Sequence, residues 1–118
     1  MKVIVVGCGY WGKNLVRNYN DLGHLYGICD FNNVVANEFS KKFSVPSFTF
    51  EEACKSDADA LILSVPAPLH ADLAVKALKA NKHVFVEKPL SMNLKEADKM
   101  IKESKKSKRI LMVGHLIQ

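Results

Sequence analysis

The sequence has no long apolar run, and only three of its 118 residues are cysteine. A membrane-spanning helix needs ~20 consecutive apolar residues. The short apolar run after Lys2 is also shorter than the core of a secretory signal peptide, and no small-residue cleavage site follows it. We therefore expect a cytoplasmic protein with no membrane partner.

The cysteines Cys8, Cys29 and Cys54 are odd in number and form no CxxC pair. Disulfide frameworks use even numbers of cysteines, and structural zinc sites place them in close pairs. Cys8 and Cys29 lie in or beside apolar strand patterns, where a thiol packs as a small hydrophobic group. We expect neither a disulfide framework nor a metal site.

The chain carries a formal net charge of +5, and much of this charge lies in the lysine-rich segment 99–109, which contains no aromatic residue. Proteins that bind single-stranded nucleic acid combine cations with aromatic stacking platforms. A basic segment can also form the exposed face and the carboxyl-terminal end of a helix, where cations complement the helix dipole. Of these two interpretations we favour the exposed helix, and we expect no nucleic-acid partner.

Short apolar strands alternate with amphipathic helices along the chain. The strands read as continuous apolar runs, which is typical of parallel strands covered on both faces. This pattern predicts one α/β domain, a Rossmann-type doubly wound and mostly parallel six-stranded sheet with helices on both faces. The predicted strands are 2–6, 25–29, 46–50 (a weak strand or edge), 60–66, 83–86 and 109–115, and the predicted helices after the first include 32–43, 50–56, 68–79 and 93–104.

The turn after the first strand has the spacing GxGxxG, formed by Gly7, Gly9 and Gly12. The first glycine permits a tight turn, the second allows the backbone to approach a pyrophosphate, and the third allows close packing of helix and strand. The helix that follows offers N–H groups and a positive dipole end to the phosphates. A plain strand–helix turn is the alternative.

An acid, Asp30, follows the second strand 18 positions after Gly12. A carboxylate at this place can accept both ribose hydroxyls of an adenosine. It would repel a 2′-phosphate, so NAD is favoured over NADP. FAD and S-adenosylmethionine, which use related turns, are the other cofactors that the pattern allows.

The segment 64–90 resembles the Gfo/Idh/MocA oxidoreductases, named for glucose–fructose oxidoreductase and inositol 2-dehydrogenase. The family pattern is a small polar residue and a proline after the fourth strand, then a histidine, a helix, and Glu-Lys-Pro after the fifth strand. The resemblance extends over residues 1–115, and the stretch 9–18 is similar to members that act on UDP-N-acetylglucosamine. The matching residues are Ser64, Pro66, His70, Glu87, Lys88 and Pro89, with an extra Val65 that many members share.

The resemblance implies roles for the polar residues that end the strands. Lys88 would act as the proton relay or would orient the substrate hydroxyl, and Glu87 would contact the nicotinamide side or its ribose. His70 could touch the cofactor or substrate, or pack against the turn 66–68, and Trp11 could cover the cofactor or lie under the helix. The residues expected to contact the cofactor are Gly7, Gly9, Tyr10, Trp11, Gly12, Asp30, Phe31, Ser64, Val65, Pro66, His70 and Glu87.

The resemblance also implies a domain organisation. Family members continue into a second, mostly antiparallel domain that binds the sugar. Residues 1–113 would be the NAD-binding domain, and residues 114–118 the start of a missing sugar-binding α+β domain. The expected parent is an NAD-dependent dehydrogenase of a sugar or nucleotide sugar, of which this piece binds cofactor without efficient turnover. A non-catalytic dinucleotide sensor is the alternative, and a homo-oligomer is left open.

Overall fold

The computed structural model describes residues 1–8, 12–87 and 94–114. Parallel strands alternate with helices through these residues, as the apolar pattern predicts. The elements are β1 Val3–Val6, α1 Gly12–Asp21, β2 Leu25–Cys29, α2 Asn33–Phe43, α3 Phe50–Lys55, β3 Ala60–Leu63, a 3₁₀ turn Ala67–Leu69, α4 His70–Lys79, β4 His83–Glu87, α5 Leu94–Ser107 and β5 Leu111–Gly114.

The strands form one parallel sheet in the order β2-β1-β3-β4-β5. Val6, the last residue of β1, pairs with Cys29 of β2 on one side and with Leu63 of β3 on the other. The carboxyl ends of these three strands therefore meet at one edge of the sheet. The chain leaves β1 first toward β2 and later returns to β3 on the opposite side, which makes this edge the topological switch point.

The prediction of six strands is wrong for the described residues, where the sheet has five. The segment 46–50 makes only an isolated bridge, in which Ile28 N donates to Pro46 O at 3.0 Å and Phe48 N donates to Ile28 O at 2.8 Å. Pro46 has no N–H to extend the pairing. Thr49 then caps α3 with both hydrogen bonds of a capping box, so the chain turns into a helix before a strand can form.

Both faces of the sheet are covered, which explains the continuous apolar runs. β1 and β3 are buried along their whole lengths. Alternate side chains enter two separate cores, one under α3, α4 and α5 and the other under α1 and α2. Largest among the strand and helix side chains in these cores are Ile4, Leu61, Leu63, Leu78 and Met100 on the first face and Leu15, Ile28 and Ile62 on the second.

The helix ends follow from local chemistry. Two asparagines, Asn32 and Asn33, could cap the predicted helix 32–43. The Asn32 side chain accepts hydrogen bonds from the N–H groups of Val34 and Val35, so Asn32 is the cap of α2. The predicted helix 68–79 begins as an α-helix only at His70, because Leu69 N donates to Pro66 O in a 3₁₀ turn. Leu69 is consequently 42% exposed and does not belong to the buried apolar face of α4.

Lys82, just before β4, is a buried cation at the edge opposite the carboxyl ends of the strands. Its side chain is 6% exposed, and its Nζ donates to Ser56 O at 2.5 Å and to Ala58 O at 2.7 Å. These two carbonyls lie between the end of α3 and the start of β3. Lys82 therefore connects the segment that enters β3 to the segment that enters β4.

Among the described residues, no helix combines the length and the apolar character that crossing a membrane requires.

Candidate functional site

The glycine turn after β1 lies between the ends of β2 and β3. Gly7 N donates to Cys29 O at 2.7 Å, and Ser64 N donates to Val6 O at 2.8 Å. These bonds extend the sheet pairing by one residue on each side of β1. The turn therefore begins on the rigid centre of the sheet rather than on a free loop.

The backbone around Gly7 and Gly12 leaves no room for a side chain at either position. Gly7 has φ +91°, and a Cβ built on it would overlap Ser64 O and lie 3.2 Å from Val65 Cγ1. A Cβ on Gly12 would overlap Gly7 O. The structure thus brings the first and third glycines of the motif into direct backbone contact. This arrangement agrees with a tight turn at Gly7 and close helix packing at Gly12.

The start of α1 at Gly12 points its first N–H groups toward the carboxyl edge of the sheet. The first four N–H groups of a helix have no partner within the helix and carry the positive end of its dipole. They suit an anion such as a pyrophosphate. The expected cofactor contacts of Gly9, Tyr10 and Trp11 lie outside the described residues.

The Asp30 carboxylate is held by two backbone donors. Its Oδ2 accepts from Cys8 N at 2.8 Å, and its Oδ1 accepts from Asn32 N at 2.8 Å. The first bond crosses from β2 to the glycine turn, and the second closes the turn that leads into α2. Each oxygen retains a lone pair for a ligand hydroxyl. Phe31, the next residue, is 61% exposed and offers a free aromatic ring beside the carboxylate.

Sequence reasoning missed the two groups that orient Asp30. These are the backbone N–H groups of Cys8 and Asn32. The bond to Asn32 has a recognisable signal, because an aspartate often accepts from the N–H two residues later. The bond to Cys8 spans 22 residues and depends on the pairing of β1 with β2, so no local pattern reveals it.

The turn after β3 carries Ser64, Val65 and Pro66, and His70 lies behind it. The His70 ring is 1% exposed, and its Nε2 lies 2.6 Å from Val65 O. Burial lowers the pKa of His70 from its ordinary value of 6.5, and the bond to Val65 opposes that shift. The geometry thus places His70 against its own turn; a direct contact with the cofactor stays a prediction.

The lowered pKa of His70 predicts an acid-sensitive fold. The unfolded chain protonates the His70 ring at a higher pH than the folded chain does. The stabilisation that the neutral ring gives the fold is therefore complete above the ordinary pKa of 6.5. It is lost as the pH falls from 6.5 toward the folded-state pKa. We expect urea denaturation to show the wild type losing stability relative to His70→Gln between about pH 7.5 and about pH 5.5. A constant difference over that range would contradict the prediction.

Glu87 ends β4 at the same edge of the sheet and is 8% exposed. The pKa of Tyr19 in α1 is raised by burial and, secondarily, by the negative charge of Glu87. Phe85, two residues earlier in β4, packs against the core under α1 and α2, so strand alternation places the Glu87 side chain on that face of the sheet. Lys88, to which the resemblance assigns the proton relay, lies outside the described residues, as does Pro89 of the Glu-Lys-Pro motif.

The thiols near the site do not suit nucleophilic chemistry. Burial, reinforced by the Asp30 charge, raises the pKa of Cys8 and that of Cys29 to about 12. A thiol is nucleophilic only as the thiolate, so both are inert at neutral pH. In residues 1–8, 12–87 and 94–114, no group of three or more metal-ligating side chains comes together. Among the described residues, the groups of this edge that suit a ligand therefore include the first N–H groups of α1 and the Asp30 carboxylate.

Comparison with known proteins agrees with this geometry. Residues 1–115 match the family described as an oxidoreductase family with an NAD-binding Rossmann fold. The chain is 35% identical to a myo-inositol 2-dehydrogenase of Thermotoga maritima over 124 aligned positions, covering 97% of this chain and 36% of the relative.

Two solved structures extend the comparison. A UDP-N-acetylglucosamine 3-dehydrogenase from Acidithiobacillus ferrooxidans is 25% identical with a TM-score of 0.90, over 96% of this chain and 37% of that one. A 3-ketoreductase from Actinomadura kijaniata, solved with NADP and TDP-benzene, has a TM-score of 0.87 at 24% identity, over 96% of this chain and 36% of that one. Likeness in fold therefore does not choose between NAD and NADP.

The chain thus spans little more than a third of the length of these relatives. The resemblance noted from the Glu-Lys-Pro and glycine motifs is confirmed by the match over nearly the whole chain. The parallel sheet, its switch point and the glycine turn agree with that match. This chain belongs to the Gfo/Idh/MocA oxidoreductase family, as its NAD-binding Rossmann domain.

Proposed function

We propose that the chain is the cofactor-binding part of a dehydrogenase that transfers a hydride between nicotinamide and a hydroxyl-bearing carbon of a sugar or nucleotide sugar. The observation that carries this proposal is the backbone contact of Gly7 with Gly12 and Ser64 at the switch point, with the tethered Asp30 beside it. The glycine turn suits a pyrophosphate, and the Asp30 carboxylate suits the adenosine ribose.

The substrate class rests on the relatives. A myo-inositol 2-dehydrogenase and a UDP-N-acetylglucosamine 3-dehydrogenase both resemble this chain along nearly its whole length. Both names describe oxidation of a ring carbon that bears a hydroxyl. Because this chain spans about a third of each relative, we assign cofactor binding to it and most substrate contacts to a further domain. The 118 residues alone should bind cofactor without efficient turnover.

Oxidation of a hydroxyl-bearing carbon releases a hydride and a proton. NAD, when bound, accepts the hydride at nicotinamide C4. Lys88 would take up the hydroxyl proton, since an amine at a partly desolvated site can be neutral near pH 7. Lys88 directly follows the buried Glu87 at the carboxyl edge, where parallel α/β sheets bind their ligands.

Cofactor titration tests the binding half of the proposal. We expect NADH fluorescence to change saturably on addition of the wild-type chain, while Lys88→Ala retains that binding. Turnover is then compared in a version of the protein that includes the substrate domain, where Lys88→Ala should abolish the reduction of NAD. Full turnover by that variant would mean that another group accepts the proton, and no turnover by the wild type of that version would favour the non-catalytic dinucleotide sensor. No NADH binding by the wild type would refute the proposal.

The choice of NAD over NADP is proposed from Asp30. The carboxylate is anchored by Cys8 and Asn32 and cannot rotate away, so a 2′-phosphate would meet a fixed negative charge. We expect the wild type to bind NADH more tightly than NADPH. In Asp30→Ala the affinity for NADH should fall at least about tenfold, because two ribose hydroxyls lose a charged acceptor. The ratio of the NADPH dissociation constant to the NADH dissociation constant should decrease at the same time.

The matched control is Asp57→Ala, which removes an exposed aspartate between α3 and β3. That variant has the same change in net charge and should bind both cofactors as the wild type does. Fluorescence titrations of the three proteins with NADH and NADPH give the comparison. Equal discrimination by wild type and Asp30→Ala would contradict the assignment of Asp30.

A further inference from the structure

His70 is buried near the carboxyl edge of the sheet, and one of its two ring nitrogens has no partner among the described residues. Nε2 lies 2.6 Å from Val65 O, whereas Nδ1 is buried and makes no hydrogen bond within the part of the chain that the structure describes. A carbonyl oxygen only accepts hydrogen bonds, so Nε2 carries the hydrogen. Within residues 1–8, 12–87 and 94–114, the neutral ring therefore makes a single hydrogen bond, and this bond is to the turn after β3.

A histidine is an unfavourable choice for filling this space. A buried polar atom without a partner destabilises a fold, and an apolar side chain of similar size would avoid that penalty. The presence of the ring is therefore explained by the bond it makes with Val65.

The bond to Val65 restrains a peptide that has no other means of attachment. The next residue, Pro66, has no N–H, so the carbonyl is the only hydrogen-bonding group of the Val65–Pro66 peptide. Pro66 O in turn accepts from Leu69 N at 2.9 Å in the 3₁₀ turn that leads into α4. His70 thus connects the start of α4 directly to the turn that follows β3.

The turn formed by Ser64 and Val65 packs directly against the glycine turn at Gly7. A Cβ on Gly7 would overlap Ser64 O, would lie 2.9 Å from Ser64 C and would lie 3.2 Å from Val65 Cγ1. The backbone of Ser64 and the side chain of Val65 therefore lie so near Gly7 that no room remains for a Cβ between them. A displacement of Val65 by a few tenths of an ångström changes that contact directly.

We propose that His70 is a positioning residue for the dinucleotide, which holds the Ser64–Val65 turn against Gly7 through the Val65 carbonyl. The proposal rests on the proposed function, because the glycine turn is taken to bind the pyrophosphate. His70 need not touch the cofactor. It acts from behind the turn, where its burial keeps the bond to Val65 free of competing water.

Three substitutions separate this role from simple packing. His70→Gln places an amide N–H near the position of Nε2, His70→Asn is too short to reach Val65 O, and His70→Leu fills the space without a donor. We expect the NADH dissociation constant of His70→Gln to lie within about twofold of the wild type. The other two variants should bind about three- to tenfold more weakly, since each lacks one buried hydrogen bond.

The affinities are compared under conditions where circular dichroism shows each variant to be folded. A space-filling role predicts that His70→Leu binds at least as well as His70→Gln. That order, or equal affinities in all three variants, would overturn the proposal. Because His70→Gln retains both the bond and most of the volume, it provides the comparison even where the shorter variants fail to fold.

A second measurement does not depend on the cofactor. Nitrogen-15 NMR of the free protein should show the His70 ring with its hydrogen on Nε2. The amide resonance of Gly7 should shift in His70→Asn and His70→Leu but not in His70→Gln. If the wild type fails to bind NADH, the proposed function falls while these resonances still test the positioning. A hydrogen on Nδ1, or an unchanged Gly7 resonance in all variants, would overturn it.

Discussion

Gly7→Ala should lower the free energy of unfolding by more than about 3 kcal/mol, a large fraction of the stability of a small domain. Two effects combine at this position. The backbone has φ +91°, which an L side chain rarely adopts, and the added Cβ would overlap the Ser64 carbonyl oxygen. That oxygen belongs to the backbone, so it cannot rotate away as a flexible side chain could. Urea denaturation monitored by circular dichroism measures the loss.

Gly23→Ala is the matched control, because it shares the unusual backbone but not the crowding. Gly23 has φ +77°, and no atom lies within 4 Å of the position of an added Cβ. The substitution should cost about 1 kcal/mol, the penalty for a left-handed alanine alone. The difference between the two variants isolates the contact between Gly7 and Ser64. Similar losses in both variants would show that the glycine turn tolerates a displacement of the neighbouring strand end.

Lys82→Met should destabilise the fold by about 3 kcal/mol without weakening NADH binding by the folded protein. The lysine is 6% exposed and donates to Ser56 O and Ala58 O. Methionine keeps the aliphatic volume but leaves both carbonyls without their donor, and each such loss costs about 1–3 kcal/mol. The residue lies at the edge of the sheet opposite the glycine turn, so the cofactor site should be unaffected once the chain is folded.

Lys79→Met tests the same change of side chain at an exposed position near the end of α4. It should alter the free energy of unfolding by less than about 0.5 kcal/mol, as is usual for surface substitutions. Urea midpoints for both variants and NADH titration of each folded protein complete the comparison. Equal stability of the two variants would mean that water replaces the Lys82 amine at the two carbonyls.

The parts of the fold that could be predicted are those determined by local sequence. The continuous apolar runs of β1 and β3 predict parallel strands covered on both faces, and the structure buries both strands completely. The helix cap at Asn32 follows from its side chain and its position before an amphipathic segment. These features depend on residues that are neighbours in the chain, so the sequence pattern contains them.

The sixth strand was predicted wrongly because the β propensity of residues 46–50 is outweighed by the helix-capping signal that follows. Aromatic residues at 46–50 favour a strand, but Thr49 and Glu52 form a capping box that starts α3 instead. One bridge with Ile28 is all that remains of the pairing. The capping spacing was visible in the sequence, and giving it more weight than β propensity would have corrected the count.

Long-range hydrogen bonds, within the site and elsewhere, could not be predicted from the sequence. Asp30 reads as a ribose-binding acid, but its tether to Cys8 depends on the register of β1 and β2. Lys82 reads as an ordinary surface lysine, and only the packing of α3 against the sheet buries its amine. Buried polar contacts of this kind follow from the assembled tertiary structure, which sequence periodicity does not encode.

The tethered carboxylate has a consequence for how cofactor preference could change. Asp30 joins the glycine turn to the entrance of α2 through one bond on each oxygen. A substitution that removes the negative charge to admit a 2′-phosphate would also release two backbone donors, each of which then needs a new acceptor. A variant designed to admit a 2′-phosphate would therefore have to rebuild this junction as well. In the role we propose for Asp30, one carboxylate serves both the choice of dinucleotide and the stability of the junction.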